Sequence, residues 1–191
     1  MSGLLIVLIV VVVLAVLLIG IYNRLVALKQ NCNQAFADVD VQLKQRHDLI
    51  PNLVETVKGY AAHEAGTLEA VIKARNAAVS AEQTGDPKAM GAAEGVLGQA
   101  LGRLIALSEA YPDLKANTNF QQLQAELSDI ENKLAAARRF FNNAVGEYNT
   151  SREQFPAVIF AGMFGFGPRD FFDVGEENRA TLEQAPQVKF N

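Results

Sequence analysis

Few side chains in this sequence could do chemistry, and the most informative is an arginine on an apolar stripe. Arg46 falls on a seam that runs Phe36, Val39, Leu43, Arg46, Ile50, Leu53, Val57 and Tyr60 at alternating three- and four-residue spacings. A cation on such a seam must pair with a carboxylate or bond to carbonyls, because burying an isolated charge is costly. Asp48 is near in sequence but on another face, so the spacing points to Glu64 or to a carboxylate of the last long helix. Two chemistries fit: a buried pair that sets helix register, as polar seam residues do in coiled coils, or contact with a partner or a lipid phosphate.

The other reactive types are sparse. His47 and His63 are the only histidines and Cys32 is the only cysteine, so a zinc site has poor support and an intrachain disulfide is excluded. Cys32 reads as an incidental helix residue, with juxtamembrane palmitoylation as the alternative. Gly162-x-x-Gly165-x-Gly167 follows no strand and runs into Pro168, which does not fit a phosphate loop. No Gly-x-Ser-x-Gly elbow occurs. Glu126, Asp129 and Glu131 read as solvated surface charge. His63-Glu64 could act as an acid–base pair, but a histidine beside a glutamate on a helix is more often structural. The formal net charge of −4, with both signs interspersed, gives no nucleic-acid footprint. These absences assign no catalytic, cofactor or metal residue and argue against an enzyme.

The elements that position these residues begin with an uncharged run, Leu4 to Ile21. At about 1.5 Å per residue, Ser2 to Ile21 matches a hydrocarbon core of roughly 30 Å. Met1-Ser2-Gly3 lacks the basic region of a cleavable signal, and Gly20-Ile21-Tyr22-Asn23 is a poor cleavage site, so the run reads as an uncleaved anchor. Arg24 and Lys29 follow it closely. That asymmetry places the N-terminus outside and the larger part in the cytoplasm.

Beyond the anchor the apolar period is helical. No glycine interrupts Ile21 to Lys58, so the membrane helix could pass into the soluble part without a joint. Pro51 predicts a kink or break, with helix resuming to about Ala81. Gly85, Asp86 and Pro87 read as a helix end, an N-cap and a first helical position. The next helix runs to about Glu109, and its Gly91, Gly95, Gly98 and Gly102 form a strip that predicts close approach of another helix backbone. The best period in the chain is Phe120, Leu123, Leu127, Ile130, Leu134, Ala137, Phe141, Ala144 and Tyr148, with Asn117 or Asn119 as N-cap.

These blocks describe an all-α protein: an N-terminal transmembrane helix over 1–22, then an antiparallel bundle of three to four helices over 23–154. Residues 155–191 form a Phe- and Gly-rich segment and an extended tail. The segment either closes the bundle core or presents an apolar surface to a partner, another subunit or the bilayer. A disordered end is the default reading of that tail, with docking along a groove, which the Val188/Phe190 alternation would suit, as the alternative.

The stretch Gln42 to Val54, with Val57-Lys58-Gly59-Tyr60 and His63-Glu64, resembles the LemA family of bacterial membrane proteins. The likeness continues through Asn119-Phe120, Glu126-Leu127, Ile130 to Leu134, Ala137 to Asn142, Tyr148-Asn149, Phe155-Pro156 and Phe164-Gly165-Phe166, and reaches Pro186, Val188 and Phe190. Some members carry Tyr near Phe141, which leaves its aromatic core role intact. The resemblance implies a single span followed by a helical bundle in the bacterial inner membrane, and it does not imply an enzyme. It also implies links to a magnetosome-membrane component and to membrane metalloprotease genes. Arg46, Pro51, Asn52, His63, Glu64, Arg139, Asn142, Asn149, Phe160, Phe164 and Phe166 are the candidate interaction or motif residues. The leading expectation is a membrane-anchored scaffold that forms homo-oligomers. An adaptor for a membrane protease or its substrates comes second, and an enzyme using His63 and Glu64 a remote third.

Overall fold

The computed structural model describes residues 2–174. The expected terminal extension, with Val188 and Phe190, lies outside the described residues. Among those described, all regular structure is helical: α1 (Ser2–Lys58), α2 (Ala65–Glu82), α3 (Pro87–Ser108), α4 (Pro112–Ala116), α5 (Thr118–Glu153) and α6 (Ala157–Ala161). Local chemistry explains several boundaries. Gly85 has a φ of 66° between α2 and α3, a conformation that glycine adopts without Cβ strain. Asp86 then accepts from the Lys88 N–H at 3.0 Å, and Pro87 opens α3. Asn117 caps α5 by accepting from the Phe120 N–H at 2.9 Å.

Four helices form an up-and-down bundle. Tyr22 meets Phe164, Phe36 meets Phe141, Arg46 meets Glu131, and Thr56 meets Asn119. The partners on the later chain therefore descend as α1 ascends, so α1 and α5 are antiparallel. From Thr118 to Glu153, α5 is 36 residues long, about 54 Å, which matches the part of α1 beyond the apolar run. The α2–α3 hairpin packs on the other side. It returns to the level of His47 and Glu82 and climbs again to Tyr111, which bonds Glu64 at the far end.

The seam of α1 starts earlier than Phe36. Leu25, Leu28, Cys32, Ala35, Val39 and Leu43 are all buried, whereas Tyr60 is exposed. Burial pushes the Cys32 thiol up from its ordinary value, which marks a core residue and not a reactive thiol.

Pro51 does not break the helix: α1 continues through it to Lys58 as one 57-residue element. The chain turns at 59–64 instead. A proline cannot bond the carbonyl four residues earlier, and here that carbonyl, of His47, accepts from Nε of Arg75 on α2 at 3.0 Å. A tertiary donor replaces the missing helical one.

The glycine strip also differs from expectation. At Gly91 a Cβ would collide with the backbone of Asp173, so the close neighbour is an extended segment and not a helix. Gly98 faces the Arg46 guanidinium, and Gly102 faces open space.

Candidate functional site

Two apolar clusters fill the bundle. The outer one holds Ile50, Leu53, Leu97, Leu104, Phe120 and Ile130, and the one nearer the apolar run holds Leu25, Val39, Leu43, Met90, Leu134 and Phe141. On α1, α3 and α5 the boundary between them is polar. Arg46 and His47 lie between Leu43 and Leu49 on α1, Glu94 between Met90 and Leu97 on α3, and Glu131 between Ile130 and Leu134 on α5. On α2, Glu82 sits just past Ala81.

These residues bond to one another. Arg46 donates through Nη1 to Glu94 Oε2 at 2.5 Å and through Nη2 to Glu131 Oε1 at 2.6 Å. His47 places Nε2 2.6 Å from Glu94 Oε1 and Nδ1 3.3 Å from Glu82 Oε2. Both oxygens of Glu94 are thereby engaged by α1. Arg46, His47 and Glu94 are buried, and the Glu131 side chain is 36% exposed.

Low dielectric around the layer perturbs its neighbours. Burial lowers the Arg138 pKa, opposed by Glu131. Burial, and then Glu82, raises Asp40 to about 6. Oδ1 of Asp40 is buried without a hydrogen-bond partner among the described residues. Arg46 and His47 are closed to solvent and paired through Glu94, with Glu131 and Glu82 as further partners, while Nε of Arg46 has no hydrogen-bond partner among the described residues; the arrangement can hold helices in register.

A second constellation lies on α5. Asn149 donates to the Arg169 carbonyl at 2.9 Å and accepts from the Arg169 N–H at 3.0 Å. Asn142 does the same for Phe172, at 3.0 and 2.9 Å. Each amide imitates a neighbouring strand. Seven residues of helix and three of extended chain both advance about 10 Å, so the spacing of the two asparagines matches the segment. The Tyr148 hydroxyl donates to the Gly167 carbonyl at 2.9 Å. The 167–173 segment is thus strapped along α5 and ends against Gly91.

The remaining candidates are dispersed. Asn52 and Arg139 are exposed on α1 and α5. His63 is exposed in the turn, while Glu64 accepts from the Tyr111 hydroxyl at 3.2 Å, so Glu64 is not the partner of Arg46. Phe160 is half-buried, Phe166 is buried, and Phe164 is exposed; the last two meet Tyr22 edge-on at centroid distances of 5.5 Å.

His47, Glu82, Glu94, Glu131 and Arg75 were missed as site residues. A signal for several of them was present. Met90, Glu94, Leu97, Leu101 and Leu104 step by four and three, as do Leu68, Val71, Arg75, Ala78 and Glu82. Each series carries charge where an apolar side chain would be expected, as the α1 seam does at Arg46.

One apolar helix, exposed over residues 3–17 and continuous with an antiparallel bundle, marks an all-α protein whose first helix is consistent with a membrane anchor. The chain belongs to the LemA family, which it matches over residues 35–190. It is 25% identical over 174 residues to magnetosome protein MamQ of Magnetospirillum gryphiswaldense. It is 26% identical over the same length to magnetosome proteins MamQ 1 and MamQ 2 of Paramagnetospirillum magneticum. Each match covers 79% of this chain and 64% of the relative, so the chain spans about two thirds of these curated relatives.

Proposed function

We propose that the chain is a non-enzymatic, membrane-anchored scaffold that self-associates and holds membrane or partner proteins in fixed positions. The observation that carries this reading is the unbroken α1, 57 residues from the apolar run to the far end of the bundle. Over about 85 Å it has no break, and at Pro51, where a helical hydrogen bond is lost, Arg75 bridges the gap. A lever of this kind couples the arrangement of bundles to that of spans. The polar layer supports a structural role, because its carboxylates are spent on Arg46 and His47. The magnetosome relatives support membership of an organised assembly. Arg24 and Lys29 support a cytoplasmic bundle.

The test is the mass of the full-length protein in lipid nanodiscs and after crosslinking in native membranes. Oligomers of defined size are expected. A strict monomer in both would overturn self-association, and crosslinks to a membrane protease in place of further copies would favour the adaptor instead.

A further inference from the structure

The link after α5 is built unlike the rest of the surface. From Gln154 to Pro168 there is no charged residue, and the large side chains turn outward: Phe155 is 79% exposed, Met163 81%, and Val158, Ile159 and Phe164 about half. Apolar groups at this density are normally covered.

Their position identifies the cover. Tyr22, the first residue past the apolar run, packs edge-on against both Phe164 and Phe166. A cavity of about 90 Å³ between Ile21, Arg24 and Phe155 to Ala157 sits at the same height. Leu18 and Ile21 are half-buried, while residues 3–17 are exposed. The segment therefore lies beside the last turn of the span and is continuous with the span's lipid-facing surface. Charge follows the same plan. The first cation of α1 is Arg24, and Lys29 stands 5.9 Å over the Phe166 ring; the uncharged link itself is bordered by Glu153, which pairs with Arg152 at 2.7 Å, and by Arg169. Apolar groups at the depth of the span's end, beside the cations Arg24 and Lys29, match the acyl–headgroup boundary of a phospholipid bilayer.

We propose that α6 with Phe155, Met163 and Phe164 forms an interfacial collar, bedded in the same bilayer that α1 crosses and fixing the angle at which the bundle leaves it. The occupant of this surface is lipid. The collar rests on α1 being a span and is independent of self-association.

The chain has no tryptophan, so Ile159→Trp and Met163→Trp each install a single indole. Phe140→Trp serves as control: Phe140 is 59% exposed, and its neighbour Phe141 packs on Phe36, about 20 Å along α1 from Tyr22. Full-length variants with unaltered helical circular dichroism are placed in phosphatidylcholine–phosphatidylglycerol vesicles, with and without acyl-brominated lipid, and titrated with acrylamide. The expected result is emission lowered more than about two-fold by brominated lipid at both collar positions, with little acrylamide quenching, and the reverse for the control. Acrylamide quenching as strong as the control's would put the collar in water and overturn the proposal. Protection from both quenchers would mean that a second copy covers it, and would overturn it equally.

Discussion

Replacing Arg75 with methionine tests how α1 survives a proline. Pro51 offers no N–H to the His47 carbonyl, and proline in a helix interior costs about 3 kcal/mol. Arg75 Nε stands 3.0 Å from that carbonyl. A hydrogen bond from a charged donor contributes about 1.5–3 kcal/mol, and the half-buried setting of Arg75 argues for the lower end. Arg75→Met keeps most of the apolar stem and removes the donor, so it should destabilise the bundle by about 1.5–2 kcal/mol. Pro51→Ala restores a helical N–H to the same carbonyl. In that background Arg75→Met should cost less than about 0.5 kcal/mol, a coupling of roughly 1–1.5 kcal/mol. For a chain of this size each kcal/mol shifts Tm by about 2–4 °C. Thermal unfolding of the four full-length proteins in detergent, followed by circular dichroism, completes the cycle. An equal loss in both backgrounds would refute the argument. Arg75 would then act through its packing or its 3.4 Å contact with Asn76, and not through the orphaned carbonyl.

Three further outcomes follow from the same structure. Glu94→Gln removes the buried carboxylate that Arg46 and His47 share, leaving them the partly exposed Glu131 and Glu82, and should cost about 3–5 kcal/mol, whereas Glu131→Gln, at a partly exposed pair, should cost less than about 1 kcal/mol; denaturant midpoints compare them. Gly91→Ala should displace the segment at Asp173, seen as faster proteolysis of residues 167–174, while Gly102→Ala, facing open space, should gain about 0.5–1 kcal/mol from helix propensity. Asp40 has its pKa raised from 3.8 to about 6, so the stability this contributes is complete below pH 3.8 and lost as pH rises through 6. Asp40→Asn should therefore stabilise the protein by about 1 kcal/mol at pH 7.5, after allowance for partial solvent exposure. It should do little near pH 4, as denaturation at the two pH values would show.

Much of the fold is written in short-range patterns. The α5 stripe, the Asn117 and Asp86 caps and the Pro87 start need only neighbours within a turn or two, so they are legible from spacing alone. The site was legible in part. Arg46 stood out because it interrupts a good seam, and the last helix did supply one of its carboxylates, Glu131. Glu94 interrupts a seam too, but Gly91, Gly95 and Gly98 around it break up the apolar pattern that would make the interruption visible. Pro51 misled for a different reason: its cost is local, and the donor that offsets it lies 28 residues from His47 on another helix. Asn142 and Asn149 were marked by family resemblance, yet their work as strand mimics depends on a segment twenty to thirty residues later. Local rules record a cost where it arises and do not record compensation that arrives through the fold.

That distinction bears on why a polar layer stands where it does. Two apolar clusters joined end to end would let α1 slide by a heptad against α5 or the hairpin at small cost, since Leu, Val and Ala repeat along every seam. A slide of one heptad, about 10 Å, would pull Arg46 and His47 from Glu94 and leave charge in the core, at a cost of several kcal/mol. The layer thus acts less as a source of stability than as an index mark that every long helix must meet. Because α1 carries its half of the mark and also the apolar run, indexing the bundle indexes the position of that run, and with it the depth of the proposed span. The Asn142 and Asn149 straps set the register of the 167–173 segment against α5, and through Phe166 and Tyr22 that register extends to the end of the apolar run. The position of the bundle relative to the apolar run is set twice, by ion pairs within the bundle and by aromatic contacts at its base. Both devices act through α1.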